Sequence, residues 1–269
     1  MYRWINGVLS AFGVQLVRSS QVDLDRPAPV APASPDPVAA ARQILDAIEG
    51  NRLSFGRILD TALKDLRIAA QMQAASTSVD WLYAHADRVP AYRNRPELLE
   101  AVLPLIPANG DLAEFGVFKG AVTWFVRPRF PDRTYHAFDS WQGVPESMGL
   151  AVDKFGFSLD GRVPDLPPAT TIHTGWFEDT LPKWRAQCDA SIAFAYIDCD
   201  LYESVRTVLE AIADRLRPGS IVIFDDWFNF PNWQAHSFRA AHEWTERHGL
   251  TLEPIGLTFL EHSVAFRLA

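Results

Sequence analysis

Residues 192–205 read IAFAYIDCDLYESV, and the fold turns on how they are divided. Ile192 to Ile197 is a short continuous apolar run, the pattern of a strand buried on both faces. Two carboxylates, Asp198 and Asp200, follow one residue apart, and after them comes an amphipathic stretch that predicts a helix over 201–216. A second run, SIVIFDDW at 220–227, repeats the pattern and ends in Asp225 and Asp226. Buried strands that each end in carboxylates and feed into helices indicate a parallel sheet with a polar site along one edge.

Working outward, the same alternation extends over residues 109–269. DLAEFGV leads to a helix near Lys119, and TYHAFDS and TTIHTGW read as the next two strands. A helix at about 233–248 is stopped by Gly249, and TLEPIGLTFL and EHSVAFRL close the chain as a strand pair. The expected fold is α/β: an open, mostly parallel, seven-stranded Rossmann-like sheet with an antiparallel edge strand. Ligands of such sheets bind outside the carboxyl ends of the strands, where the acidic residues fall.

The preceding residues differ in texture. Residues 1–20 carry apolar positions near helical spacing, which suits a helix packed on protein, with a weak membrane-surface contact as the alternative. The segment is too polar to span a bilayer and lacks the unbroken apolar stretch of a signal peptide. Residues 21–37 hold five prolines and read as a linker. Residues 38–108 predict a helical cap, with helices at 37–50, at 57–73, from about Ser78, and at 95–106.

Net charge is −8, with 25 Lys and Arg against 33 Asp and Glu, and the cations form no run, so nucleic acid is not an expected partner. The two cysteines have no metal-ligand spacing and predict a reducing, cytoplasmic setting.

Four groups of residues carry chemistry. Glu114, Gly116 and Gly120 lie in EFGVFKG, a glycine turn leading into a helix N-terminus. An acidic residue there suits a ligand with a cationic end better than a pyrophosphate, although a purely structural turn fits the pattern equally. Asp139, at the tip of the next strand, is placed to accept from two ribose hydroxyls or to cap its loop. Together Glu114 and Asp139 point to a nucleoside, which Trp176 and Phe177 would sandwich unless they are core. Asp198, Asp225 and Asp226 sit on neighbouring strand ends, where clustered carboxylates repel unless a divalent cation such as Mg²⁺ joins them. Asp200 and Glu203 have capping-box spacing and are assigned to the helix start. Of the histidines, His236 is taken as a substrate contact near Trp233, while His173 and His262 are read as structural residues in strands.

Taken together, EFGVFKGA, FDSWQGVPES, GWFEDTLP, YIDCDLYESV and RPGSIVIFDDW resemble the macrocin O-methyltransferase (TylF) family, over about residues 110–269. The resemblance implies a class I methyltransferase that moves a methyl group from S-adenosylmethionine to a sugar hydroxyl of a glycosylated natural product or glycan. Glu114, Gly116 and Gly120 would then hold the amino-acid end of the cofactor, with Asp139, Ser140 and Trp141 at the ribose and Trp176 and Phe177 at adenine. Asp198, Asp225 and Asp226 would hold Mg²⁺, with Asp198 also the catalytic base and Trp227 beside the substrate. Residues 143–165 would form a lid, and the cap would serve a homo-oligomer. A catechol-type O-methyltransferase and a non-catalytic cofactor-binding scaffold are the rival readings. A nicotinamide enzyme is disfavoured because the third glycine of its fingerprint is missing.

Overall fold

The computed structural model describes residues 64–146 and 156–269 and, before them, Asp46 alone. Two compact units divide the chain, Met1–Ile58 and Leu59–Ala269. In the first, only Asp46, a helical residue, is described. The expected amphipathic segment and linker, the first cap helix apart from Asp46, and lid residues 147–155 lie outside the described residues.

The second unit is built on one eight-stranded sheet. Helix α1 spans Leu66–His85, strand β1 Ala91–Tyr92, and α2 Arg95–Val102, which continues as a 3-10 turn, Leu103–Leu105. Then follow β2 (Asp111–Phe115), α3 (Ala121–Val126), β3 (Tyr135–Asp139), β4 (Thr170–Thr174) and α4 (Phe177–Gln187). The remainder is β5 (Ile192–Ile197), α5 (Tyr202–Ile212), β6 (Leu216–Phe224), α6 (Ser237–His248), β7 (Leu252–Thr258) and β8 (Val264–Leu268). Strand order is β1-β7-β8-β6-β5-β2-β3-β4. Only β8 runs antiparallel to its neighbours, toward the β7 side of the sheet. This is the expected open, mostly parallel Rossmann-like sheet, with one strand more than anticipated. Two-residue β1 is too short to leave a periodic signature, and it exists through its pairing with Leu257 and Thr258.

Both faces of the sheet are covered at its centre, which is why β5 is apolar and buried throughout, whereas edge strand β4 is polar and mostly exposed. On one face Leu181 and Trp184 of α4, Val205, Val208 and Leu209 of α5 and Trp244 of α6 form one core with Phe115, Ile197 and Phe224. On the other, Leu98, Leu99 and Val102 of α2 and Val122 and Val126 of α3 close over Leu112, Phe194 and Ile223.

Three local expectations change. A helix break before Ser78 does not occur, since α1 runs through it. The Ser78 hydroxyl donates to the Ala74 carbonyl (2.6 Å) and accepts from the Asn229 amide (2.8 Å), so the residue taken as a helix start serves a tertiary contact inside α1. The helix expected over 201–216 stops at Ile212, and Pro218-Gly219 lies beyond it in a strand. This dipeptide is a bulge inside β6, where the register against β5 jumps from Leu216 to Ile221 and Gly219 has φ +93°. The helix expected over 95–106 is α-helical only to Val102, before Pro104 takes the chain into the 3-10 turn.

Candidate active site

Strand register lines up the site. Phe138, Phe115, Ile197 and Phe224 are successive partners across β3, β2, β5 and β6. The next residues, Asp139, Gly116, Asp198 and Asp225, therefore form a row along the carboxyl edge of the sheet. Backbone bonds continue one step past the strands: Gly116 N–H to Phe138 (2.9 Å), Asp198 N–H to Phe115 (2.8 Å) and Asp225 N–H to Ile197 (2.9 Å). The chain reverses its direction across the sheet between β2 and β5, so the row straddles the switch point where open α/β sheets bind ligands. Gly116 is obligatory there: it has φ +88°, and a Cβ would lie 1.7 Å from the Asp198 carbonyl oxygen.

A cavity of about 380 Å³ opens over this row. Gly116, Asp139, Ser140, Trp176 and Phe177 line one part, and Asp198, Asp200, Asp225 and Asp226 the other. Phe177 is braced edge-on against Phe115 at 6.3 Å, and Trp176 precedes the first turn of α4. Gly143, Val144, Pro145 and Phe157, from the ends of the expected lid, also line the cavity.

Asp139 binds its own loops first. Its Oδ2 accepts from the amides of Val117 (2.8 Å) and Phe118 (2.7 Å), and its Oδ1 from Trp141 (2.6 Å). A carboxylate offers about four acceptor positions. Roughly one is left, enough for one ribose hydroxyl rather than the expected two.

Five expected site residues stand away from the cavity lining. Glu114 is buried under the sheet edge, where its Oε2 accepts from Thr123 and Tyr135, both at 2.6 Å. Burial pushes its carboxyl up to about 7 despite those bonds. Gly120 starts α3 with φ +79°, facing Leu166. Trp141 is fully buried and donates to the Phe118 carbonyl. Trp227 packs among Phe224, Phe238 and Phe266, and His236 packs against Phe230.

The acidic half brings together more than was expected. Asp200 does not cap α5, whose N-cap is Leu201 with no side-chain bond. Asp200 instead takes a left-handed turn (φ +58°) that carries its carboxyl to Asp226. Burial and the neighbouring charges push the Asp200 carboxyl up to about 6 and those of Asp198 and Asp226 well above the usual range. Asp226 Oδ2 is buried without a hydrogen-bond partner.

Sequence reasoning missed the cation that answers these charges. Arg95, in the first turn of α2, places Nη2 2.7 Å from Asp225 Oδ2 and Nη1 3.9 Å from Asp198 Oδ2. Burial opposes the guanidinium charge, but Tyr196, Asp225, Asp198 and Glu261 more than offset it. Asp225 Oδ1 also accepts from Tyr196 (2.5 Å) and Ser263 (2.6 Å), so Asp225 is engaged on both oxygens. The helix-start signal Asn94-Arg-Pro-Glu97 was legible, and Asn94 does accept from the Glu97 amide (3.1 Å). The direction of the Arg95 side chain had no signal. His262 was also misread: it lies in the loop between β7 and β8, not in a strand, and lines the cavity.

The donor set fits a hard divalent cation: all oxygen, over-charged, with one buried oxygen unpartnered. Among the described residues, these carboxyl oxygens do not converge within 4.8 Å as a group of three.

The chain is similar to known methyltransferases over part of its length. Residues 113–227 match the family model "Methyltransferase domain". Over 149 residues, 44% of this chain and 53% of the relative, it is 32% identical to an 8-demethyl-8-(2,3-dimethoxy-α-L-rhamnosyl)-tetracenomycin-C 4'-O-methyltransferase of Streptomyces olivaceus. Over 177 residues it is 29% identical to a demethyldecarbamoylnovobiocin O-methyltransferase of Streptomyces niveus, covering 56% of this chain and 66% of that one. The chain thus spans between about half and two thirds of the length of these curated relatives. The solved O-methyltransferase NovP is 25% identical, with TM-score 0.47 over 64% of this chain and 76% of that one.

Proposed function

We propose that this chain is an S-adenosylmethionine-dependent O-methyltransferase of the macrocin O-methyltransferase (TylF) type, acting on a sugar hydroxyl of a glycosylated natural product or glycan. The observation that carries the reading is the continuous cavity that joins a nucleoside-like half, Gly116, Asp139, Trp176 and Phe177, to a carboxylate half, Asp198, Asp200, Asp225 and Asp226. The sugar O-methyltransferase named among its relatives supports the acceptor class.

When bound, S-adenosylmethionine supplies the electrophilic methyl group and Mg²⁺ supplies Lewis acidity at the acceptor hydroxyl. Within the chain, Trp176 and Phe177 flank the adenine, and the free acceptor position of Asp139 takes one ribose hydroxyl, with Ser140 beside it. Gly116 allows the backbone to approach the cofactor. Glu114, Gly120 and Trp141 hold the loops under that half. Asp198, Asp225 and Asp226 would hold the cation, in competition with Arg95 for Asp225. Asp198 would take the proton of the acceptor hydroxyl. Trp227 and His236 contribute packing behind the acceptor side.

A cytoplasmic homo-oligomer is part of the proposal. No helix among the described residues is long and apolar enough to cross a membrane. Along α1, Ile68, Met72, Val79 and Tyr83 make an exposed apolar stripe that suits a second copy.

The deciding experiment is calorimetric titration of S-adenosylhomocysteine, with and without Mg²⁺, on wild type and Asp198→Ala, followed by an acceptor screen with glycosides. Nucleoside binding in both proteins, Mg²⁺ heat in wild type alone, and methyl transfer to a sugar hydroxyl are expected. Absence of nucleoside binding overturns the reading. Binding without any cation effect removes the metal from it.

A further inference from the structure

A second cluster of ligand-type side chains lies at the opposite, amino-terminal edge of the sheet. Asp111 opens β2, His136 is the second residue of β3, and Cys188 caps the end of α4. One ligand atom from each falls within 4.8 Å of the other two, the only such trio among the described residues. His136 Nε2 is 3.1 Å from Asp111 Oδ2, and Cys188 Sγ is 3.8 Å from the same oxygen. None of the three lines the methyltransferase cavity.

We infer that Asp111, His136 and Cys188 form a three-ligand site for a divalent transition metal of the zinc class. Zinc bond lengths of about 2.0 to 2.3 Å at tetrahedral angles set neighbouring ligand atoms roughly 3.3–3.6 Å apart. The two observed separations bracket that range, so small side-chain adjustments suffice. The mixture of carboxylate, imidazole and thiolate suits zinc and excludes magnesium, which takes oxygen ligands. His136 is also held as a metal-ligating imidazole usually is, by a partner on its other nitrogen: His173 Nε2 lies 3.0 Å from His136 Nδ1. Its side chain is only 6% exposed, and that of Asp111 17%, so the ring is already oriented.

The protons balance in both states. Without metal, His136 Nε2–H donates to Asp111 and Nδ1 accepts from His173. With metal, the Nε2 lone pair turns to the ion, the His136 proton sits on Nδ1 as a donor to His173 Nε2, and the His173 proton moves from its Nε2 to its Nδ1. Both rings stay neutral, and Cys188 binds as thiolate with release of one proton. The ion would clasp the starts of β2 and β3 to the end of α4. A fourth position is left to water.

The test is a titration of full-length, tag-free, metal-stripped protein with Co²⁺, followed by displacement with Zn²⁺. The site predicts a one-equivalent near-ultraviolet thiolate-to-cobalt band that Zn²⁺ abolishes and Mg²⁺ does not. Cys188→Ser loses the band, and Asp111→Asn weakens Co²⁺ binding by about tenfold or more. Both variants keep S-adenosylhomocysteine binding. No band in wild type, or a band unchanged in Cys188→Ser, overturns the proposal. A second readout needs no variant: Zn²⁺ slows alkylation of Cys188 by iodoacetamide, located by mass spectrometry, by about tenfold. An unchanged rate would count equally against the site.

Discussion

Arg95 Nη2 lies 2.7 Å from Asp225 Oδ2, joining the first turn of α2 to the end of β6 across 130 residues of chain. With the Arg95 side chain 31% and that of Asp225 10% exposed, the pair is shielded from water, and its removal leaves several carboxylates facing one another.

Arg95→Ala should therefore lower the stability of the metal-free protein by about 1–3 kcal/mol, the range for losing a charged hydrogen-bond partner. Mg²⁺ should bind this variant more tightly than wild type and restore part of the loss. Urea denaturation with and without Mg²⁺ reads both effects. Equal Mg²⁺ stabilisation of the two proteins would mean that guanidinium and metal do not compete.

Gly116→Ala tests the close approach of β2 to β5. A methyl group 1.7 Å from the Asp198 carbonyl forces the strand ends apart, and φ +88° adds backbone strain. A loss of about 2–6 kcal/mol is expected, together with weaker nucleoside binding. A loss below about 1 kcal/mol, small beside ordinary core overpacking, would show that the row of strand ends tolerates displacement.

Asp139→Asn probes a carboxylate that organises two loops before any ligand arrives. An amide group facing the amides of Val117, Phe118 and Trp141 cannot accept from all three. Stability should fall by about 1–3 kcal/mol, and calorimetry should show a larger loss of S-adenosylhomocysteine affinity than of Mg²⁺ affinity. The opposite order would detach Asp139 from the nucleoside half.

Glu114 makes stability pH-dependent. Its carboxyl moves from an ordinary 4.5 up to about 7 because the folded protein buries it. The folded state holds the proton more tightly, so this contribution is full below about pH 4.5 and is lost as pH rises through about 7. Glu114→Gln should flatten the decline between pH 5 and pH 8 by up to about 3 kcal/mol, measured by denaturation without cofactor. Parallel curves for the two proteins would reassign the effect to Asp198, Asp200 and Asp226.

The sequence by itself determined the sheet and its functional edge. Apolar runs of strand length can only be buried, and a carboxylate directly after such a run must emerge at the strand's end. That reasoning located Asp139, Asp198 and Asp225, which the register then set in one row with Gly116. Tertiary structure decided the rest. Arg95 reaches the cluster from a helix whose start was legible but whose rotation about its axis depends on the fit of Leu98, Leu99 and Val102 against the sheet. Asp200 left its capping position because a left-handed turn brought it to Asp226, and His262 joined the cavity because β8 inserts between β6 and β7. The Asp111, His136 and Cys188 cluster assembles from a strand start, a strand interior and a helix end, which have no common spacing along the chain. Periodicity and spacing record what each segment buries. Which side chains meet across segments is a property of packing, and only the folded chain contains it.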